Sequence, residues 1–141
     1  MDKRYQVFVS STFSDLQVER QEILQALLEL DCIPSGMELF PAANDDQWTL
    51  IKKIISDCDY YIVVIGGKYG SIGPDGISYT EMEYRHALSL KKPIIAFVHK
   101  DIGKLPANRV ESSEESRKKL DSFIEFVKKK GNYPTDASGV T

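Results

Sequence analysis

The sequence predicts an α/β fold built on a parallel sheet with helices on both faces. Apolar strand patterns alternate with amphipathic helix patterns along nearly the whole chain, and short connections join them. Residues 60–65, YYIVVI, are almost continuously apolar, as is typical of a central parallel strand buried on both faces. Four such β-α units predict the strand order 2-1-3-4, to which residues 132–141 can add a fifth strand.

The first half of the chain predicts two strands and two helices. Residues 5–10 form a short strand, and a helix follows from Ser14, with Gln17 at its capping-box position. Residues 32–39 form a weaker strand, which proline and glycine interrupt, so we expect it near a sheet edge. A second helix opens at Asp45 or the residue after it.

The second half repeats this alternation. The YYIVVI strand is followed by a glycine-rich loop over residues 66–76, and a helix over residues 78–90 comes next. A strand over residues 94–98 and a last helix over residues 113–130 complete the pattern. We expect one domain over residues 1–131, followed by a tail or truncated linker.

The composition fits a single globular domain. The chain has 141 residues, 42% of them hydrophobic, and a net charge of −3. It has no basic cluster typical of nucleic-acid binding and no apolar run of the roughly 20 residues that cross a bilayer. Cys32 and Cys58 stand apart without a CxxC spacing, which favours reduced thiols in a cytoplasmic protein over a disulfide or zinc site. We therefore expect that the protein does not bind a membrane, a metal ion or, directly, a nucleic acid.

Glu83 places a carboxylate where a helix should be apolar. On the helix predicted over residues 78–90, it lies within the apolar arc. The other members of that arc are Tyr84, Ala87, Leu88 and Leu90. Burying a carboxylate costs several kcal/mol unless a partner or a cleft compensates. Glu83 is therefore either a functional carboxylate or a helix-start acid satisfied by backbone amides and the helix dipole.

Glu81 has a different predicted environment in the same helix. It lies on the other side from Glu83 and one turn before Arg85, so we expect an ordinary surface ion pair. Ser78 or Thr80 can cap the helix, because each has a glutamate three residues later.

The predicted topology also places a binding crevice. Ligands of such sheets bind beyond the carboxyl ends of the strands, where the strand order reverses. Here the reversal lies between the strands that end at Ser10 and Ile65. Residues 10–15, the loop over residues 66–78 and the first turn of the Glu83 helix converge on it.

Three segments of the chain carry a family resemblance. They are VFVSSTFSDLQVERQ, DCDYYIVVIGGKYGS and SYTEMEYRHALSLKKPIIAFV. Together, over residues 4–127, they resemble the DUF4062 family, a TIR-like domain often found at the N-terminus of larger NACHT or other STAND-type proteins. That family looks related to TIR domains and nucleoside 2-deoxyribosyltransferases, so the resemblance implies a flavodoxin-like, three-layer fold.

The resemblance implies a catalytic role for Glu83. The related enzymes place a glutamate early in the helix before a Lys-Pro-strand pattern, where it acts on the ribose of a nucleoside or of NAD. Glu83 stands ten residues before Pro93, the spacing of the deoxyribosyltransferases, so the role falls on Glu83. Glu81 is then a capping acid or a nucleotide contact.

Other crevice residues have two interpretations each. Ser10, Ser11 and Thr12 can hold a phosphate or ribose, or they are ordinary turn and cap residues. The glycines of the loop can allow a ligand to approach, and Tyr69 can stack on a base; the alternative is a flexible connection. These glycines are Gly66, Gly67 and Gly70. Their spacing is not that of a P-loop.

From the resemblance we expect an effector or signalling domain, of a kind used in defence, within a larger protein. It would self-associate through a fused receptor and bind NAD or a related nucleotide, or hydrolyse it at the N-glycosidic bond when oligomerised. Such cleavage needs one carboxylate near the ribose. NAD is then a substrate, and no cofactor is expected. The alternative is a non-catalytic module for self-association.

Overall fold

The computed structural model describes residues 4–12, 15–36 and 45–130, and it confirms the predicted α/β fold. The strands are β1 (Gln6–Ser11), β2 (Ile33–Gly36), β3 (Tyr60–Ile65) and β4 (Ile94–Val98). The helices are α1 (Gln17–Glu29), α2 (Asp45–Asp57), α3 (Tyr79–Ser89) and α4 (Glu114–Lys130). Two short 3-10 turns, Ile102–Lys104 and Ala107–Arg109, lie between β4 and α4.

The sheet has the predicted order. Its four strands pair in parallel as β2-β1-β3-β4, so β1 and β3 are the central strands. Ser10 of β1 lies opposite Val63 of β3, and Ile65 of β3 lies opposite Val98 of β4. The carboxyl ends of these three strands therefore meet at one edge of the sheet, where the loops that follow them must also meet.

Helices cover both faces of this sheet. Because successive strand residues point to opposite faces, each central strand contributes to two apolar clusters. One face packs against α2, α3 and α4, and its strand residues are Phe8, Tyr61, Val63, Ile65, Ala96 and Val98. The other face packs against α1, and its strand residues are Val7, Val9, Ile62 and Val64.

Aromatic side chains attach α4 to α3 on the first face. The Tyr84 ring meets the Phe123 ring edge-on at a centroid distance of 5.7 Å. The Tyr69 ring also packs edge-on against Phe123, with a centroid distance of 6.2 Å. The loop after β3 is thereby tied to α4, which fixes its position relative to the sheet edge.

The element boundaries differ from the prediction at α1. The helix begins at Gln17 rather than Ser14, which lies outside the described residues. Leu16 precedes the helix with non-helical backbone, and its side chain is fully buried in the α1 cluster. The capping-box prediction depends on Ser14 and therefore lies outside the described residues. The predictions for residues 37–39 and for the tail lie outside the described residues.

Candidate functional site

The site begins with the way α3 starts. The Ser78 hydroxyl accepts a hydrogen bond from the Glu81 amide at 3.1 Å, so Ser78 is the cap and Thr80 is not. A helix that starts at Tyr79 turns Glu83 toward the end of β1. The Ser10 hydroxyl donates a 2.6 Å hydrogen bond to Oε1 of Glu83, and neither residue has exposed surface. Ser10 and Glu83, which were both predicted as site residues and lie 73 residues apart in the chain, are thus in direct contact.

Tyr61 joins this pair from β3. It is fully buried, and its ring stacks on that of Phe8 at 5.8 Å. Burial raises the pKa of the Tyr61 hydroxyl well above its usual range, and the negative charge of Glu83 raises it further. The phenol therefore stays protonated beside the carboxylate. From the sequence, Tyr61 was predicted only as a strand residue, and the available signal was a pair of tyrosines, Tyr60 and Tyr61, at the start of an otherwise aliphatic central strand.

Glu81 is buried, which corrects the expected surface pair. The predicted partner is present, since Nε of Arg85 lies 2.6 Å from Oε2 of Glu81. The Tyr69 hydroxyl also donates to Oε1 of Glu81 at 2.5 Å. Arg85 in turn lies over the Phe126 ring of α4, 4.2 Å from its centroid. The pattern of α3 alone could not show that the loop after β3 and α4 would cover this side of the helix.

Tyr69 lies in the core rather than open to a base. Its side chain is buried, its ring packs against Phe123, and its hydroxyl is engaged by Glu81. Burial raises the pKa of the Tyr69 hydroxyl, and the hydrogen bond to the Glu81 carboxylate acts in the same direction. In this structure Tyr69 and Glu81 together link the loop to α3.

The three predicted glycines permit close approach to the loop backbone, but other parts of this chain, rather than a ligand, pack against them. A Cβ added to Gly66 would lie 2.7 Å from Cδ2 of Leu16. A Cβ on Gly70 would lie 2.9 Å from Cγ2 of Thr12, and its φ of +98° is one that favours glycine. A Cβ on Gly67 would overlap the backbone carbonyl of Arg109. The loop therefore fits tightly between the end of β1 and the segment that follows β4.

The hydroxyls at the end of β1 divide between the two faces of the sheet. Ser10 faces α3, whereas Ser11 accepts a 2.7 Å hydrogen bond from Nη1 of Arg20 in α1. The Thr12 hydroxyl donates to Oδ1 of Asp15. Asp15 is almost completely buried, and this burial raises the pKa of its carboxyl. Of the three predicted hydroxyls, that of Ser10 donates directly to Glu83.

Residues 106–111, here named the strap, cross the same edge and were not anticipated from the sequence. Arg109 donates from Nε to the Asp15 carbonyl at 2.7 Å and from Nη2 to Glu19 at 2.5 Å. On the other side, the Glu111 amide donates to the Gly67 carbonyl at 2.9 Å. The strap therefore bridges the loop after β1 and the loop after β3. The sequence offered only a polar stretch between β4 and α4.

The edge is closed over Glu83 and Ser10, neither of which has exposed surface. Within residues 4–12, 15–36 and 45–130 it offers no metal site. No group of three histidine, cysteine or acidic side chains in those ranges is placed to hold an ion. The site therefore consists of a buried carboxylate, a serine hydroxyl that donates to it, and a protonated phenol, beneath loops that pack on one another.

A family model described as a domain of unknown function, DUF4062, matches residues 6–138. The chain belongs to the DUF4062 family. Among solved structures, the crystal structure of a prokaryotic SEFIR domain is similar, with 13% sequence identity and a TM-score of 0.47. The match covers 89% of this chain and 96% of that one. No curated protein matches the sequence. None of the described helices of this DUF4062 domain is both long and apolar enough for a membrane span.

Proposed function

We propose that this DUF4062 domain binds the ribose of NAD or a related nucleotide beside Glu83 and cleaves its N-glycosidic bond when a larger protein assembles it. The observation that carries the proposal is the fully buried Glu83 carboxylate, held at 2.6 Å by Ser10 at the end of a central strand. Parallel sheets bind their ligands at this edge.

The cost of burial supports a functional carboxylate. Glu83 sits with no exposed surface on an apolar face of α3, next to Ala87 and Tyr84, which are core residues. A carboxylate there costs several kcal/mol relative to an apolar side chain that packs equally well. The hydrogen bond from Ser10 offsets part of this cost. A role in binding or chemistry would explain why a glutamate occupies the position.

The arrangement suits charge stabilisation at a sugar. Departure of a base from C1 of a ribose leaves positive charge on the ring, and a nearby carboxylate stabilises it or attacks C1. Exclusion of water strengthens this interaction. Glu83 would supply the carboxylate, and the hydrogen bond from Ser10 would hold it in place. Thr12 and the glycine-rich loop would contact the rest of the nucleotide.

Closure of the edge bears on when the domain acts. Because Glu83 and Ser10 have no exposed surface, a nucleotide reaches them only after the surrounding loops move. We expect the isolated domain to be weakly active or silent, and mostly monomeric at low concentration. Assembly through a fused oligomerising partner would supply the free energy for opening.

The test compares acid variants in protein forced to oligomerise through a fused coiled coil. Glu83→Gln keeps the side-chain shape and removes the charge, so release of nicotinamide from NAD should fall at least about 100-fold. Glu81→Gln should retain activity, since Glu81 contacts Tyr69 and Arg85 rather than Ser10. Glu125→Gln, an exposed change in α4, is the charge-matched control.

Two results would contradict the assignment. Equal loss in the Glu81 and Glu83 variants, with both folded by circular dichroism, would remove the special role of Glu83. Full activity in Glu83→Gln would do the same. If the assembled wild-type protein releases no nicotinamide, the domain is better explained as a non-catalytic module for self-association.

A further inference from the structure

Two adjacent backbone amides of the loop after β3 hold a carboxylate from elsewhere in the chain. Oε1 of Glu111 accepts hydrogen bonds from the amide of Tyr69 at 2.6 Å and from the amide of Gly70 at 3.4 Å. Glu111 lies 42 residues from Tyr69 in the chain, so this contact joins two separate loops. The amide pair lies at the edge where the carboxyl ends of β1 and β3 meet.

The geometry of this amide pair is that of an anion site. Successive backbone amides that converge on one point, with a residue of positive φ among them, form a concave donor that binds anions. Gly70 has the positive φ, at +98°. The contact at Tyr69 is short, at 2.6 Å, and the contact at Gly70 is longer, at 3.4 Å. The structure thus shows a carboxyl oxygen seated on the amide pair.

The bound group is tethered, and its tether is fixed at both ends. The Glu111 amide donates to Gly67, and the Gly67 position has no room for a side chain beneath the Arg109 carbonyl. Arg109 anchors the strap to Asp15 and Glu19 on the other side of the edge. A tethered carboxylate competes with any dissolved anion at a high effective concentration.

We propose that the amides of Tyr69 and Gly70 form a phosphate-binding site that Glu111 keeps occupied and shut. A phosphate carries more charge than a carboxylate and has three or more oxygens to accept from both amides. Its binding would displace the Glu111 side chain, remove one of the contacts that seat the strap, and so favour opening of the edge above Ser10. The ligand class is a phosphate-bearing nucleotide, so the inference extends the proposed function by naming where phosphate binds and what blocks it.

The need to displace Glu111 weakens the apparent affinity of the site for phosphate by a measurable factor. The apparent dissociation constant is the intrinsic one divided by the fraction of molecules in which the amides are free. If Glu111 leaves the amides in about one molecule in ten or fewer, removing it tightens phosphate binding at least about tenfold. The gain is specific to Glu111 and does not depend on any chemistry at Glu83.

The experiment titrates the 141-residue chain with inorganic phosphate and with pyrophosphate, followed by amide chemical shifts in NMR spectra. In Glu111→Ala we expect at least about tenfold tighter binding than in wild type, with the largest shifts at the amides of Tyr69 and Gly70. Glu125→Ala, which removes an exposed charge from α4, should bind phosphate as the wild type does. Because the readout is binding, its failure is distinguishable from a failure of nucleotide cleavage.

Glu111→Gln covers the case in which the alanine variant does not fold. Glutamine keeps the shape and one acceptor oxygen but removes the charge, so phosphate should bind more tightly than in wild type and less tightly than in Glu111→Ala. The proposal is overturned if folded Glu111 variants bind phosphate no better than wild type. Equal gains in Glu125→Ala, or shifts that lie away from residues 69 and 70, would also overturn it.

Discussion

At the scale of single residues, two glutamates separated by one residue in α3 differ in what they contact. Glu83 meets Ser10 at the sheet edge, whereas Glu81 meets Tyr69 and Arg85. The two glutamates could be distinguished from the sequence, because Glu83 interrupts the apolar arc of the helix and the helical period of that arc is visible in the sequence alone. It missed that Glu81 is buried as well, since that burial comes from α4 and from the loop, which no local period reveals.

Asp15 gives a pH prediction at this scale. Burial raises the pKa of its carboxyl above 3.8 in the folded state, so the folded protein keeps this proton at pH values where the unfolded chain has released it. Stability from this group is present below the unfolded pKa and is lost as pH rises through the folded pKa. Asp15→Asn should therefore show a smaller fall in unfolding free energy above about pH 4 than wild type.

Urea denaturation across a pH series measures this difference. Asp121→Asn, an exposed acid in α4, is the control and should keep the wild-type slope. The same slope of unfolding free energy against pH in Asp15→Asn and wild type would show that Asp15 titrates equally in the folded and unfolded states.

At the scale of elements, the strap is the feature that local patterns could not predict. Its contacts join residues far apart in the chain: Arg109 lies 94 residues from Asp15, and Glu111 lies 42 residues from Tyr69. Both side chains read as ordinary surface charges in a polar stretch. The strands and most helices, in contrast, were predictable because the periodic spacing of apolar residues that defines them lies within short stretches of sequence.

Gly67→Ala tests how closely the strap packs on the loop. An added Cβ would overlap the Arg109 carbonyl, and backbone cannot move aside as easily as a flexible side chain. We expect a loss of about 1–3 kcal/mol of unfolding free energy. Amide hydrogen exchange at residues 69 and 70 should also be faster, because the strap no longer seats Glu111 there.

Gly103→Ala is the matched control for this change. A Cβ at Gly103, in the same connection between β4 and α4, would meet no atom within 4 Å. It should leave stability within about 0.5 kcal/mol of wild type. Comparable losses in the two alanine variants, measured by urea denaturation, would show that the contact between Gly67 and the strap contributes nothing specific.

At the scale of the whole molecule, the parallel sheet places Glu83, Ser10 and the loops after β1, β3 and β4 at one edge. The strand order followed from sequence because buried parallel strands and short connections leave few topologies open. Self-association through a larger protein stays a prediction. Binding of a nucleotide also stays a prediction.

The measurement that tests the central claim most directly is a crystal structure, grown with NAD, of Glu83→Gln assembled through the fused coiled coil, since this variant should bind the nucleotide without cleaving it. We predict the ribose hydroxyls within hydrogen-bonding distance, about 3 Å, of the side chain at position 83, with Ser10 and Thr12 lining the same crevice. NAD bound away from the carboxyl ends of β1 and β3, with no ribose hydroxyl near the side chain at position 83, would contradict the account.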